Sequence, residues 1–150
     1  MTPIGTVRTA RTTPEDDHWA PVTSLIELDD AQLSADAVAG LDEFSHLEVV
    51  YSFHLCDPAK TTRGARHPRG DTALPRVGVL AQRVKDRPNH LGVSPCELLK
   101  VEGLRLHVRG LDAIDGTPVL DIKPYLTEMT PPGAEIREPA WVHEVMKAYW

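Results

Sequence analysis

Strand-like alternation of apolar and polar positions dominates this chain, and helical spacing is rare. Residues 4–7 (Ile-Gly-Thr-Val), 22–28 (Val-Thr-Ser-Leu-Ile-Glu-Leu) and 47–55 (Leu-Glu-Val-Val-Tyr-Ser-Phe-His-Leu) are rich in β-branched and aromatic residues and predict strands. Residues 77–81, 96–101, 104–108 and 118–122 predict four more. Glu102-Gly103, a short glycine-containing break between two apolar runs, predicts a hairpin. Helix signals are fewer. Ser34 can cap a short helix over 35–41 that ends near Gly40. Pro139 suits the first turn of a C-terminal helix over 139–149, where Val142, Val145, Met146 and Tyr149 follow i, i+3, i+4, i+7 spacing. That stripe reads as packing surface, against this domain or a partner subunit.

Many short strands and few helices predict a mainly β fold, a small closed or nearly closed β-barrel with long loops, one short helix and a C-terminal helix. Two Pro/Gly-rich stretches, 57–75 and 127–139, read as long loops, and loops of that length in a small domain are often functional. The 150 residues fit a single domain, 1–150, and show no internal repeat. No run of about 18 apolar residues is present, so no transmembrane helix is expected. Residues 1–5 lack the basic and apolar regions of a secretory leader, and two cysteines make no disulfide framework, so a cytoplasmic location is the expectation.

Charge refines this picture by its distribution. Between residues 60 and 90, eight cations (Lys60, Arg63, Arg66, Arg69, Arg76, Arg83, Lys85, Arg87) face two acids, Asp71 and Asp86, so the segment carries +6. With a net charge of −6 for the whole chain, the remainder carries −12. The asymmetry fits one localised anion-binding face on an acidic body, and equally an Arg-rich exposed loop that maintains solubility.

Three segments concentrate unusual residues: 63–71, 83–94 and 111–125. None contains a dinucleotide-binding glycine fingerprint, a Walker lysine loop or a nucleophile elbow, so a Rossmann-type nucleotide site is excluded. Arg87-Pro88 fixes extended backbone, and Asn89 and Gly92 permit a sharp turn whose backbone groups could read an adenine edge. Asp115-Gly116-Thr117-Pro118 is turn chemistry, either a functional corner or simply a tight loop entering a strand. His54, Cys56 and His67 match no standard zinc spacing and lack an evident fourth ligand, so no metal site is expected.

Four elements in order resemble the TrmO-like (TsaA, UPF0066) family: Glu43-Phe44-Ser45-His46-Leu47, then Val77-Gly78-Val79-Leu80-Ala81-Gln82-Arg83, then residues 87–94, then residues 115–125. The match spans about residues 4–126. The resemblance implies a dimeric β-barrel that binds S-adenosylmethionine near the subunit interface and methylates N6 of threonylcarbamoyladenosine beside the tRNA anticodon. It implies cofactor contacts at His54, Leu55, Arg83, Arg87, Pro88, Asn89, Leu91, Val93, Asp115 and Gly116. His54 and Asp115 are the candidates for the base, and Arg63, Arg66 and Arg69 for RNA contacts. Three departures stand out: His90 where the family turn has proline, the acidic stretch Glu15-Asp16-Asp17 near a usually basic element, and no counterpart of the C-terminal extension of longer members. The resemblance is to a shorter branch. A small-molecule acceptor, or a non-catalytic module that binds the cofactor, are the alternative expectations.

Overall fold

Inward-pointing residues at every second position decide how the strands close. The computed structural model describes residues 1–129 and 136–150. Its main sheet contains β1 (Gly5–Thr9), β2 (Thr23–Leu28), β3 (His46–Ser52), β6 (Leu91–Glu102), β7 (Arg105–Arg109) and β8 (Pro118–Pro124). These form a closed barrel in the order β1-β2-β7-β6-β3-β8, with every neighbouring pair antiparallel. Val7, Ile26, Leu47, Val49, Tyr51, Cys96, Leu106, Val108 and Val119 fill the interior and are buried. Their side chains alternate with exposed or half-buried neighbours, as the two-residue period of a strand requires. A barrel this small is filled by its own side chains.

β6 is long enough to serve two partners. Its residues from Leu91 to Glu97 pair with β3, and those from Glu97 to Glu102 pair with β7. Irregular register between Leu98 and Lys100 lets the strand turn the corner. The Glu102-Gly103 hairpin forms between β6 and β7 as expected, with Gly103 at φ 56°. A separate two-stranded ribbon, β4 (Ala65–Arg66) with β5 (Val77–Gly78), lies within the 53–90 connection.

Antiparallel register brings three connections to one end of the barrel. The ends Thr9, Ser52 and Arg109 and the starts Thr23, Leu91 and Pro118 lie at the same mouth. Segments 10–22, 53–90 and 110–117 therefore all project there. Helix α1 (Trp141–Met146) follows β8, and the residues after it return to this mouth: His18 N–H donates to Ala148 O and Trp19 N–H to Tyr149 O, each at 2.9 Å.

Several elements differ from the sequence expectation. The 77–81 strand stops at Gly78, and Val79–Ala81 forms a 3-10 turn. The Gln82 side chain explains this, donating to the carbonyls of Arg66 and Val77 at 3.0 Å each and closing the ribbon. The 47–55 strand ends at Ser52, because Phe53 N–H bonds His90 O at 2.8 Å and the chain then turns. The 96–101 strand begins five residues earlier, at Leu91. The 35–41 helix is two 3-10 turns, Ala35–Val38 and Leu41–Glu43, split at Gly40 with φ 77°, and Ser34 makes no side-chain cap. The 139–149 helix is shortened to Trp141–Met146, since residues 148–149 are drawn onto His18 and Trp19. The 57–75 loop contains short 3-10 turns and β4. Of the 127–139 loop, Thr127–Met129 is a 3-10 turn, and residues 130–135 lie outside the described residues.

Candidate functional site

The bend that precedes β6 is built from strained backbone. Arg87 is extended (φ −110°, ψ 162°), as a residue before proline must be, and Pro88 opens a 3-10 turn. Asn89 (φ 66°) and His90 (φ 50°) then occupy the left-handed region, which non-glycine residues seldom enter. Three contacts hold them: His90 N–H to Arg87 O at 3.1 Å, Phe53 N–H to His90 O at 2.8 Å, and Thr61 Oγ1 with His90 Nε2 at 2.8 Å. A proline at position 90 would need φ near −65°. This bend therefore takes its own local path.

Gly92 serves packing rather than turning. A Cβ there would lie 2.9 Å from the Tyr51 hydroxyl oxygen and closer still to the ring, so the ring lies directly on the start of β6. The neighbouring side chains of Leu91 and Val93 point outward, about a third exposed, and Leu55 is 63% exposed.

Opposite the bend, the 110–117 connection makes its corner at Gly116, with φ 78° and its N–H on Val7 O at 2.8 Å. Asp115 is fixed at both ends: its N–H donates to Arg11 O at 2.8 Å, and its carboxylate accepts from Thr9 N–H at 3.1 Å. His54 covers this corner, since a Cβ on Gly116 would sit 3.6 Å from His54 Nε2. His54 follows Phe53, which is bonded to His90, so it stands between bend and corner. Arg83 joins the group by donating from Nη2 to Val93 O at 2.5 Å, and Arg87 Nη1 reaches Gln82 O at 3.1 Å.

Sequence reading overlooked Tyr51, Asp112 and Tyr149. The Tyr51 hydroxyl donates to Asp112 O, and the Tyr149 hydroxyl donates to the Asp112 carboxylate. Burial pushes the Asp112 carboxyl up to about 6, against the opposing pull of the Tyr149 hydroxyl and of the Arg11 and Arg83 cations. Burial and the same carboxylate push both tyrosine hydroxyls upward. An acid inside the apolar run Leu111-Asp112-Ala113-Ile114 was the one local signal of this group. Its partner Tyr149 lies 37 positions away.

The basic segment is partly neutralised within the chain. Asp86 receives Arg66 at 3.4 Å and Lys85 at 3.1 Å, and their charges hold its carboxyl below the usual range despite burial. Arg69 donates both Nη atoms to Asp17, at 2.8 and 2.6 Å, which holds that carboxyl low as well. Arg63 is exposed and forms no ion pair among the described residues. Beside Asp17, Arg11 stacks 3.8 Å over the buried Trp19 ring. An open groove of about 430 Å³ runs along residues 9–13 and 22–23, with Arg11 and Glu15 in its wall. His54, Arg83 and the bend lie outside it. Among the described residues no three His, Cys, Asp or Glu side chains group to hold a metal ion, and no helix is long and apolar enough to cross a membrane.

Fold and mouth together define a small antiparallel β-barrel of the kind in the crystal structure of TrmO from Pseudomonas aeruginosa. That structure matches with a TM-score of 0.73 and 29% identity, over 93% of this chain and 60% of the other. The chain belongs to the tRNA-methyltransferase O N-terminal domain family, whose model matches residues 6–130. A tRNA (adenine(37)-N6)-methyltransferase of Escherichia coli is 45% identical over 97 residues, covering 61% of this chain and 40% of that protein. A probable S-adenosyl-L-methionine-binding protein of Methanothermobacter thermautotrophicus is 38% identical over 135 residues, covering 85% of this chain and 90% of that protein. The chain spans about half, or less, of the length of the methyltransferases it matches.

Proposed function

We propose that this protein binds S-adenosylmethionine at the barrel mouth and transfers its methyl group to N6 of threonylcarbamoyladenosine beside a tRNA anticodon. The observation that carries the reading is the meeting of His54, the 87–93 bend, Arg83 and the Asp115–Gly116 corner around one end of the barrel. The donor set fits such a cofactor. Arg83 and Arg87 offer guanidinium forks to its carboxylate, and Asp112 and Asp115 offer carboxylates to its ammonium and ribose hydroxyls. Gly116 leaves open the face under His54 that a side chain would fill. Bend backbone at Pro88, Asn89, Leu91 and Val93 would border the adenine, and Leu55 would add apolar cover.

When bound, the cofactor supplies an electrophilic methyl group on a sulfonium. The protein's own task is to hold the acceptor nitrogen in line and to take its proton, which the carbamoyl group already acidifies. Aligned positioning alone can lower such a barrier by several kcal/mol, about 7–11 in favourable intramolecular cases. Of the two candidate bases, Asp115 spends one oxygen on Thr9 N–H, whereas His54 has no hydrogen-bond partner among the described residues. We assign the proton to His54. A second copy belongs to the same reading: Leu55 and Leu80, 63% and 79% exposed on the 53–90 connection, are apolar surface for a homodimer to cover.

Nucleoside mass spectrometry of tRNA from a deletion strain tests the acceptor. The N6-methylated threonylcarbamoyladenosine should disappear and return with the intact gene. A second reading, a small-molecule acceptor, is favoured by the Asp17–Arg69 ion pair, which removes a free cation from the basic face. Under it the tRNA nucleosides stay unchanged, and an RNA-free extract accepts the methyl group.

A further inference from the structure

The Asp17–Arg69 pair joins two segments that the sequence sets 52 positions apart and of opposite character, the acidic 15–17 stretch and the arginine-rich loop. Arg69 meets its carboxylate with both terminal nitrogens, at 2.8 and 2.6 Å. Arg66 reaches Asp86 with one nitrogen at 3.4 Å. A planar guanidinium presents the same fork to a carboxylate as to a phosphate.

Asp17 is presented on a firm support. Arg11 Nη2 donates to Asp17 O at 2.7 Å and Nη1 to His18 O at 3.2 Å, while its guanidinium lies over the buried Trp19. His18 and Trp19 are bonded in turn to Ala148 and Tyr149. Backbone strain sits on both sides of the fork, with His18 at φ 63° and Arg69 itself at φ 53°. Non-glycine residues keep such angles where surrounding contacts over-determine them. The side chains of Arg69 and Asp17 nevertheless retain 31% and 27% of their exposure, so a solvent-borne group can reach the pair.

We infer that Asp17 is a specificity-determining residue: its carboxylate occupies the seat on Arg69 that a backbone phosphate of the acceptor would take. An intramolecular competitor acts at a high effective concentration. A phosphate-bearing acceptor must displace Asp17 to gain Arg69, whereas an uncharged nucleoside need not. This inference rests on the tRNA reading above and concerns how tightly the acceptor binds.

The test is a double-mutant cycle on tRNA binding at about 0.15 M ionic strength, with melting curves confirming that each variant folds. Asp17→Asn keeps the size of the side chain and removes the competing charge. Asp16→Asn makes the same charge change at an exposed neighbour that forms no ion pair among the described residues. Asp17→Asn should tighten binding about two- to fivefold, the range an exposed ion pair allows, with a smaller gain for Asp16→Asn. The gain should vanish in Asp17→Asn/Arg69→Ala, and the apparent KM for free threonylcarbamoyladenosine should not move. Equal gains at positions 16 and 17, a gain that survives loss of Arg69, or weaker binding by Asp17→Asn overturns the inference while leaving the tRNA reading intact. Absence of tRNA binding in the wild type and all variants overturns both together. Should Asp17→Asn fail to fold, the single variants decide: Arg63→Ala is expected to cost more tRNA affinity than Arg69→Ala, and the reverse order overturns the inference.

Discussion

The Tyr149 hydroxyl donates to the carboxylate of Asp112, which ties the segment after α1 to the connection that feeds β8. The same aspartate accepts the Tyr51 hydroxyl on its carbonyl, and Tyr51 rests on Gly92 at the start of β6, just past the turn of the bend. One half-buried acid thus links the returning segment to the backbone of the mouth. The carboxyl is pushed up to about 6, mainly by burial. Its unfolded value is near 4, so between about pH 4 and 6 the folded state binds the extra proton. Stability from this group is therefore present below pH 4 and lost as pH rises to 6, about 2–3 kcal/mol in all. Urea denaturation of wild type and Asp112→Asn across this window should show the difference, with the variant gaining relative stability up to pH 6. Parallel profiles would contradict it.

Tyr149→Phe removes the donor to an ionised, half-buried carboxylate. The expected loss is about 1–3 kcal/mol at neutral pH. It should shrink below pH 5, where Asp112 is protonated. A loss independent of pH would assign Tyr149 a packing role only.

Gly92 and Gly116 are required for different reasons, and alanine separates them. At Gly92 the added Cβ runs into the Tyr51 ring, an overpacking that costs about 1–3 kcal/mol or more. At Gly116 the nearest atom is an ordinary 3.6 Å away, so only the left-handed backbone is penalised, by about 1–2 kcal/mol. Gly92→Ala should therefore lower the denaturation midpoint more than Gly116→Ala. Equal shifts would remove the packing explanation for Gly92.

Arg83 is the cation bonded to the bend and electrostatically coupled to Asp112. If its fork also takes the cofactor carboxylate, Arg83→Ala should weaken S-adenosylmethionine binding by about 1.5–3 kcal/mol, on the order of ten- to a hundredfold. Arg83→Lys should recover only part, because the ammonium cannot make the paired contact. Calorimetric titration reads this directly, and unchanged affinity in Arg83→Ala would remove Arg83 from the cofactor site.

His54→Ala should reduce kcat about 10²- to 10⁴-fold, the range of a positioned base, and weaken cofactor binding by a smaller factor. Asp115→Asn should have the smaller kinetic effect, since its carboxylate already holds Thr9 N–H. If the order is reversed, the proton goes to Asp115.

Local chemistry made much of this fold legible. β-branched runs such as 22–28 and 47–55 read as strands, the second overrunning its end at Ser52 by three residues, and Glu102-Gly103 had only to join two neighbours. The start of β6 was harder. Leu91-Gly92-Val93 follows a Pro-Asn turn and reads as part of it, because its pairing partner is β3, nearly 40 residues earlier. Val79 to Ala81 looked like a strand, and a glutamine side chain bonding two carbonyls settled otherwise. The resemblance pointed to His54, Arg83, the bend and the Gly116 corner, and the fold brings these to one mouth. It said nothing of Asp112 or Tyr149, whose meeting depends on a chain return that no local pattern encodes. Nor did charge counting reveal that Asp17 would be folded onto Arg69.

Methyl transfer itself is the most direct test. The purified protein, given isotopically labelled S-adenosylmethionine and tRNA bearing threonylcarbamoyladenosine, should yield that nucleoside carrying one labelled methyl on N6 after digestion and mass spectrometry. His54→Ala should yield almost none. Label absent from every nucleoside, with cofactor bound and tRNA in excess, would contradict the account.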